Sequence, residues 1–229
     1  MFDAQTCQKV SAIAAGSLAT AAGGAIDTWV YLAHGHVFAT AQTGNIVLMT
    51  VSIARADLPQ AVNHLPPLAA FIAGLFISRQ AGSALKRRKL NSRSIRLGIE
   101  CVLLAALGLA ADGLPNHVVT AWVGFIAGLQ ITSFSHVGAW SFNTGMTTGN
   151  LRGAVSAVSK ALAGSEEEWA HVLLMTAMCV AFAAGALAGA WLTPILEGLT
   201  LLPVAALVAA TIAVAPRGLD PMPDWKNLH

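Results

Sequence analysis

One tripeptide recurs at a fixed offset and sets the plan of this chain. Thr43-Gly44-Asn45 returns 105 residues later as Thr148-Gly149-Asn150. Upstream, Gly23 and Ile26 align with Gly128 and Ile131 at the same offset. Downstream, each copy is followed by a Phe-x-x-Gly, at Phe71 to Gly74 and at Phe182 to Gly185. Each copy follows a long apolar run and opens another. The pattern is that of a duplicated helical unit, with a polar, glycine-containing break in each half.

The apolar runs decide the medium. Only 10% of the residues are charged and 55% are hydrophobic, whereas a soluble domain carries about 25% charged residues. A helix needs about 20 apolar residues to cross a bilayer, and several such windows are present. The expected fold class is all-α, a polytopic membrane protein with the lipid bilayer as its first partner. Cys7, Cys101 and Cys179 are scattered without a C-x-x-C, so neither a disulfide framework nor a zinc site is legible. The run from Val10 to Ala33 is too long for a signal-peptide core and reads as the first membrane helix.

In order, the spacing predicts helices over Val10 to Ala33, Leu65 to Leu85, Ile95 to Ala111, His117 to Ala139, Trp169 to Leu192 and Ile195 to Ala215, with Pro216 ending the last. Two shorter runs, Ile46 to Ala54 and Leu151 to Ala163, suit half-helices buried in protein, where irregular backbone is tolerated at membrane depth. Gly164-Ser165 ahead of Glu166, Glu167 and Glu168 reads as a capped helix start. Basic residues crowd the loop from Lys86 to Arg93. The positive-inside rule places that loop in the cytoplasm, so its charge is topological and implies no nucleic-acid partner. Six crossings then put both termini in the cytoplasm. Each half, 1–112 and 113–216 ahead of a short polar tail at 217–229, holds three crossings and is inserted opposite to the other. Inverted repeats with broken helices are the recurrent plan of secondary transporters.

The residues around the breaks resemble a known family. Asp27-x-x-x-Tyr31, Gly35-His36-Val37-Phe38 and Thr43-Gly44-Asn45 resemble the opening signature of the YoaK-like family of bacterial inner-membrane proteins. Gly128-Leu129-Gln130 with Thr148-Gly149-Asn150-Leu151 resembles its second signature. This chain has Ile131 where the family pattern has Asn, and Thr144-Gly145 where it has a Thr pair. The resemblance implies about six membrane helices, an inner-membrane location and a suspected transport role, without a substrate.

The candidate substrate-binding residues are Asp27, His36, Thr43, Gly44, Asn45, Gln130, Thr148, Gly149 and Asn150. Glycine lets backbone approach a ligand closely, Thr and Asn can cap the helix that follows, and a helix N-terminus suits an anion. The breaks therefore either hold a small polar or anionic ligand or lock the half-helices in place. An ionisable residue inside a membrane helix is a functional hypothesis by default, which brings in Asp27 as a coupling or orienting charge. His36 lies beside the first break, and Gln130 and Thr132 place polar groups in the fourth helix. Arg152 follows the second break. Glu100, four residues after Arg96, has the spacing of a local ion pair, and most tryptophans fall at helix ends as an aromatic belt. No catalytic constellation, metal site or cofactor motif is legible. The expectation is a secondary transporter, with a homodimer plausible at this size. A passive channel of the same fold, or a non-transporting sensor or assembly protein, are the alternatives.

Overall fold

The computed structural model describes residues 4–137 and 140–215, and Ala139, the Pro216 stop, the 217–229 tail and both chain ends lie outside them. The described residues fold as helices with one small hairpin. The helices are α1 (Ala4–Ala33), α2 (Gln42–Ala54), α3 (Leu58–Asn63), α4 (Leu65–Arg87), α5 (Ser92–Ala110), α6 (Asn116–Ser133), α7 (Thr147–Leu162), α8 (Glu168–Leu196) and α9 (Leu201–Val214). The hairpin pairs β1 (His136–Val137) with β2 (Trp140–Ser141). Four stretches are long and apolar enough to cross a membrane: Val10–Ala33, Leu58–Arg87, Ser92–Gly113 and the 47-residue stretch Glu168–Val214. The last holds both α8 and α9, divided by a 3-10 turn at Glu197–Thr200.

The two most extensive helix pairings cross between the halves: α1 lies on α8, and α4 lies on α6. Glycines make both contacts possible, because small residues let backbones approach where lipid offers no hydrophobic drive. A Cβ on Gly185 would fall 1.9 Å from the Ala21 carbonyl oxygen, and one on Gly24 would fall 2.2 Å from that of Phe182. In the other pair, a Cβ on Gly74 would fall 2.3 Å from the Phe125 oxygen, and one on Gly128 would fall 2.4 Å from that of Phe71. Phe71 and Gly74 thus correspond to Phe182 and Gly185, as aligned. On α1, however, Gly24 takes the place that Gly128 takes on α6, so the expected pairing of Gly23 with Gly128 slips by one residue. A Cβ on Gly23 would instead fall 2.4 Å from the Thr144 carbonyl oxygen. The segment after α6 is longer than the one after α1, so helix and break keep separate registers.

Several element boundaries differ from the expected ones. α6 stops at Ser133 rather than continuing to Ala139, and the hairpin takes up the chain after it. α3 forms ahead of α4, with Asp57 accepting the Gln60 N–H at its start. α8 runs on to Leu196 through Pro194, and the sixth long helix begins only at Leu201. The turn between them is set by Glu197, in the left-handed region at φ 50°. Trp29 holds that turn: its Nε1 donates to the Glu197 carbonyl at 2.9 Å. Trp29 is fully buried, so it is no part of an aromatic belt, unlike the exposed Trp169 and Trp191. The expected cap at Ser165 is not made; Glu167 takes the N-cap position of α8 without a side-chain cap bond, and Glu168 meets Lys160 and His171 instead.

Arg96 turns away from Glu100. Its Nε donates to the Ser92 carbonyl at 3.2 Å, and its Nη1 to Ser78 Oγ at 3.2 Å and the Thr132 carbonyl at 2.8 Å. It ties α5 to α4 and α6. Glu100 is buried with no hydrogen-bond partner for either carboxyl oxygen among the described residues.

Candidate functional site

Both Thr-Gly-Asn motifs lie inside helices, within the first turns of α2 and α7. The N-cap positions belong to Ala41 and Met146, and neither helix has a side-chain cap. The asparagines do something else. Asn45 Nδ2 donates to the Phe38 carbonyl at 2.7 Å while its Oδ1 accepts the Phe38 N–H at 2.8 Å. Asn150 repeats this on Asn143, at 2.8 and 2.9 Å. Each amide therefore clasps the backbone seven residues upstream and closes the break into a loop. The expectation that Thr and Asn cap these helices is corrected: each Asn amide turns an N–H donor and its oxygen acceptor onto the loop backbone, and neither helix start has a side-chain cap bond. The first-turn N–H groups of α2 and α7 are left without side-chain caps.

The two breaks also touch each other. Asp27, nearly fully buried in α1, accepts the N–H groups of Ala39 and Thr40 on Oδ1 at 2.8 and 2.7 Å. Its Oδ2 lies 2.5 Å from Thr40 Oγ1, which in turn lies 2.5 Å from the Gly145 carbonyl oxygen. Thr40 and Gly145 stand 105 residues apart, the offset of the tripeptides. The loops therefore meet at equivalent positions. Glycine is required at 145, since a Cβ there would fall 2.7 Å from that of Thr40.

A cavity of about 820 Å³ opens beside this contact. α1 contributes Asp27 and Tyr31; the first break and α2 contribute Phe38 and Thr43; the start of α7 contributes Thr148, Gly149 and Arg152. α8 adds Ala190, whose carbonyl has lost its helical partner because Pro194, four residues on, has no N–H. The cavity wall thus carries hydroxyls, an arginine, a carboxyl and uncapped helix N–H groups within an apolar surround.

The glycines of the two motifs differ in a telling way. A Cβ on Gly44 would press on the Phe38 ring at 3.0 Å, so packing accounts for that glycine. A Cβ on Gly149 would meet nothing within 4 Å. Glycine inside a helix costs about 0.5–1 kcal/mol relative to alanine, and nothing in the fold requires it at 149.

Of the nine candidate residues, Asp27, Thr43, Thr148 and Gly149 line the cavity. Asn45 and Asn150 stand behind it as clasps, and Gly44 packs under Phe38. His36, in the left-handed region at φ 58°, sets its ring edge-on to Tyr31 at 5.1 Å, and Tyr31 stacks on Phe38 at 5.0 Å. Gln130 donates through Nε2 to the Ala19 carbonyl at 2.7 Å and joins α6 to α1. Thr40 and Gly145 escaped the sequence reading. Their signal was present, because they share the tripeptides' offset, but a Thr opposite a Gly does not announce itself as a repeat.

The family described as "Protein of unknown function (DUF1275)" matches residues 15–215 and so covers both breaks. The chain is also similar to the UPF0700 transmembrane protein YoaK of Bacillus subtilis (strain 168), at 28% identity over 147 residues. That match takes in 62% of this chain and 65% of the relative's length, a little under two thirds. No solved structure matches the chain. A match over both clasped breaks, with apolar spans on either side and a transmembrane relative, places the chain: it is a membrane protein and belongs to the DUF1275 family.

Proposed function

We propose that this chain is a secondary transporter of a small polar or anionic metabolite, with its site in the cavity between the two breaks. The observation that carries the reading is Gly149, a helical glycine that packing does not require, on the wall of a cavity beside Arg152. A backbone kept bare at a helix start suits close approach by a ligand. Arg152 and the hydroxyls of Thr43 and Thr148 then favour an anion or a polar group. A carrier also needs two halves that can move about a shared site. The reciprocal pairings of α1 with α8 and α4 with α6, and the clasps repeated at one offset, support two inverted three-helix repeats. In this reading α1, α4, α5, α6, α8 and α9 cross the inner membrane, and both termini are cytoplasmic. No enzymatic step is proposed, and a homodimer remains compatible.

The test is a thermal-shift panel of small carboxylates, phosphates, amines and nucleobases on detergent-purified protein, followed by uptake into proteoliposomes. Gly149→Ala is expected to be as stable as the parent, or more stable by about 0.5–1 kcal/mol, yet to lose at least tenfold in affinity for any anion that stabilises the parent. Arg152→Gln is expected to lose a similar factor. A ligand that stabilises all three proteins equally binds elsewhere and sinks this site. A ligand that binds here but is never taken up favours a sensor.

A further inference from the structure

Thr40 has one hydroxyl proton and two oxygen neighbours. Both separations are 2.5 Å, at the short end of the O–H···O range, so each contact holds a hydrogen. A backbone carbonyl only accepts, so the hydroxyl's own proton points to Gly145. The hydrogen in the other contact then comes from Asp27. Its Oδ1 already accepts two N–H groups, which leaves Oδ2 as the atom that carries it.

We infer that the closed contact between the two breaks binds one proton, on Asp27 Oδ2, and that this proton is the coupling ion of the carrier. When the carboxylic acid gives its proton to water in the cavity, Asp27 becomes a carboxylate that only accepts. Thr40 then turns its hydroxyl to Oδ2. The Gly145 oxygen is left facing Thr40 Oγ1 with no hydrogen between them, and two lone pairs at that distance repel. Deprotonation therefore releases the second break from the first, whereas Ala39 and Thr40 keep Asp27 tied to its own break. The word "coupling" rests on the transporter reading; the latch itself does not.

Few other groups face this proton. Tyr31 from α1 and Arg152 from α7 share its cavity, and His36 rests on Tyr31. His34, in the first break, is hydrogen-bonded to Asn116. His117 sits at the opposite end of α6; of the three titratable groups of α8, Glu168 and His171 bond each other at its start and the Cys179 thiol lies 3.9 Å from the Thr147 carbonyl oxygen; α9 has none. Arg152 is the one fixed charge on the cavity wall across from it.

The test needs no substrate. Infrared spectra of the purified protein, titrated with pH, are expected to show the carbonyl band of a protonated carboxylic acid that vanishes as pH rises and is missing from Asp27→Asn. Met146→Cys, on the cavity wall beside Gly145, reports the opening through its rate of modification by a thiol reagent, read on the peptide that contains position 146. That rate is expected to climb over the pH range in which the band vanishes. In the Asp27→Asn background it should stay at its low-pH value, because the amide donates to Thr40 in the proton's place. Thr40→Val should keep the titrating band but remove the pH dependence of labelling, and it serves if Asp27→Asn does not fold. The absence of any Asp27 band at any pH overturns the inference, as does a band that persists at every pH with labelling unchanged. If the latch titrates as described but proteoliposome uptake keeps its proton dependence in Asp27→Asn, the coupling role falls and the transporter reading survives. If no ligand is taken up at all, that reading fails while the latch stands.

Discussion

Gly185→Ala is expected to destabilise this protein by about 3 kcal/mol or more, at or beyond the upper end of what overpacking costs. The added Cβ would fall 1.9 Å from the Ala21 carbonyl oxygen and within 2.7 Å of two further Ala21 backbone atoms. Backbone cannot rotate out of the way as a side-chain tip can. α1 and α8 would have to move apart along the most extensive contact in the molecule. Gly24→Ala, facing Phe182 at 2.2 Å, is expected to act alike from the other helix. Gly98→Ala supplies the contrast. It also sits in a helix, but nothing lies within 4 Å of its added Cβ, so it is expected to gain about 0.5–1 kcal/mol. Denaturation midpoints in detergent would decide the matter. If Gly185→Ala behaves as Gly98→Ala does, the two helices do not approach this closely.

Asn150→Ala carries the second large effect. It removes both partners of the Asn143 backbone, the bonds that tie the second break to the first turn of α7. An orphaned buried polar group costs about 1–3 kcal/mol, so losing the clasp is expected to cost about 3 kcal/mol in total. Asn45→Ala removes the same pair from Phe38, and also the Nδ2 donor that Gln42 Oε1 accepts at 2.9 Å. Asn150→Asp makes the mechanism explicit. It keeps an acceptor for the Asn143 N–H but sets a carboxylate oxygen against the Asn143 carbonyl. Its loss of stability should match that of Asn150→Ala, or exceed it, and should shrink when the carboxylate is protonated at low pH. Variants as stable as the parent that no longer bind ligand would turn the asparagines into ligand groups and refute the clasp.

The parts of this architecture that were legible in the sequence are those that depend on composition and repetition. The apolar runs marked the long helices because bilayer thickness fixes how many apolar residues a crossing needs. The duplicated tripeptide marked the breaks because the same local problem was solved twice. What the asparagines do was not legible. Asn ahead of an apolar run is equally the signature of a helix cap, and only the position of residue 38 or 143 in space separates a cap from a clasp. The ends of α6 and α8 were missed for a similar reason. Phe134 and Ser135 look as helical as their neighbours, and Pro194 looks like a stop, but tertiary contacts outweigh such local preferences. The Arg96 and Glu100 spacing failed because Ser78 and Thr132 on adjoining helices offered the guanidinium a better fork. Gly149 was singled out by repetition alone, while the empty space around it is a property of the folded chain.

The crossed pairing of α1 with α8 bears on how the chain is made. α1 ends at Ala33 and α8 begins at Glu168, so at about 5–20 residues per second of synthesis the first helix waits roughly 7–27 seconds for the partner its glycines are shaped to meet. During that wait its carboxyl needs company in the insertion machinery. The chain supplies it early, because Ala39 and Thr40 follow Asp27 within 13 residues. The first break is therefore a chaperone in cis, satisfying an intramembrane acid long before the second half of the molecule exists.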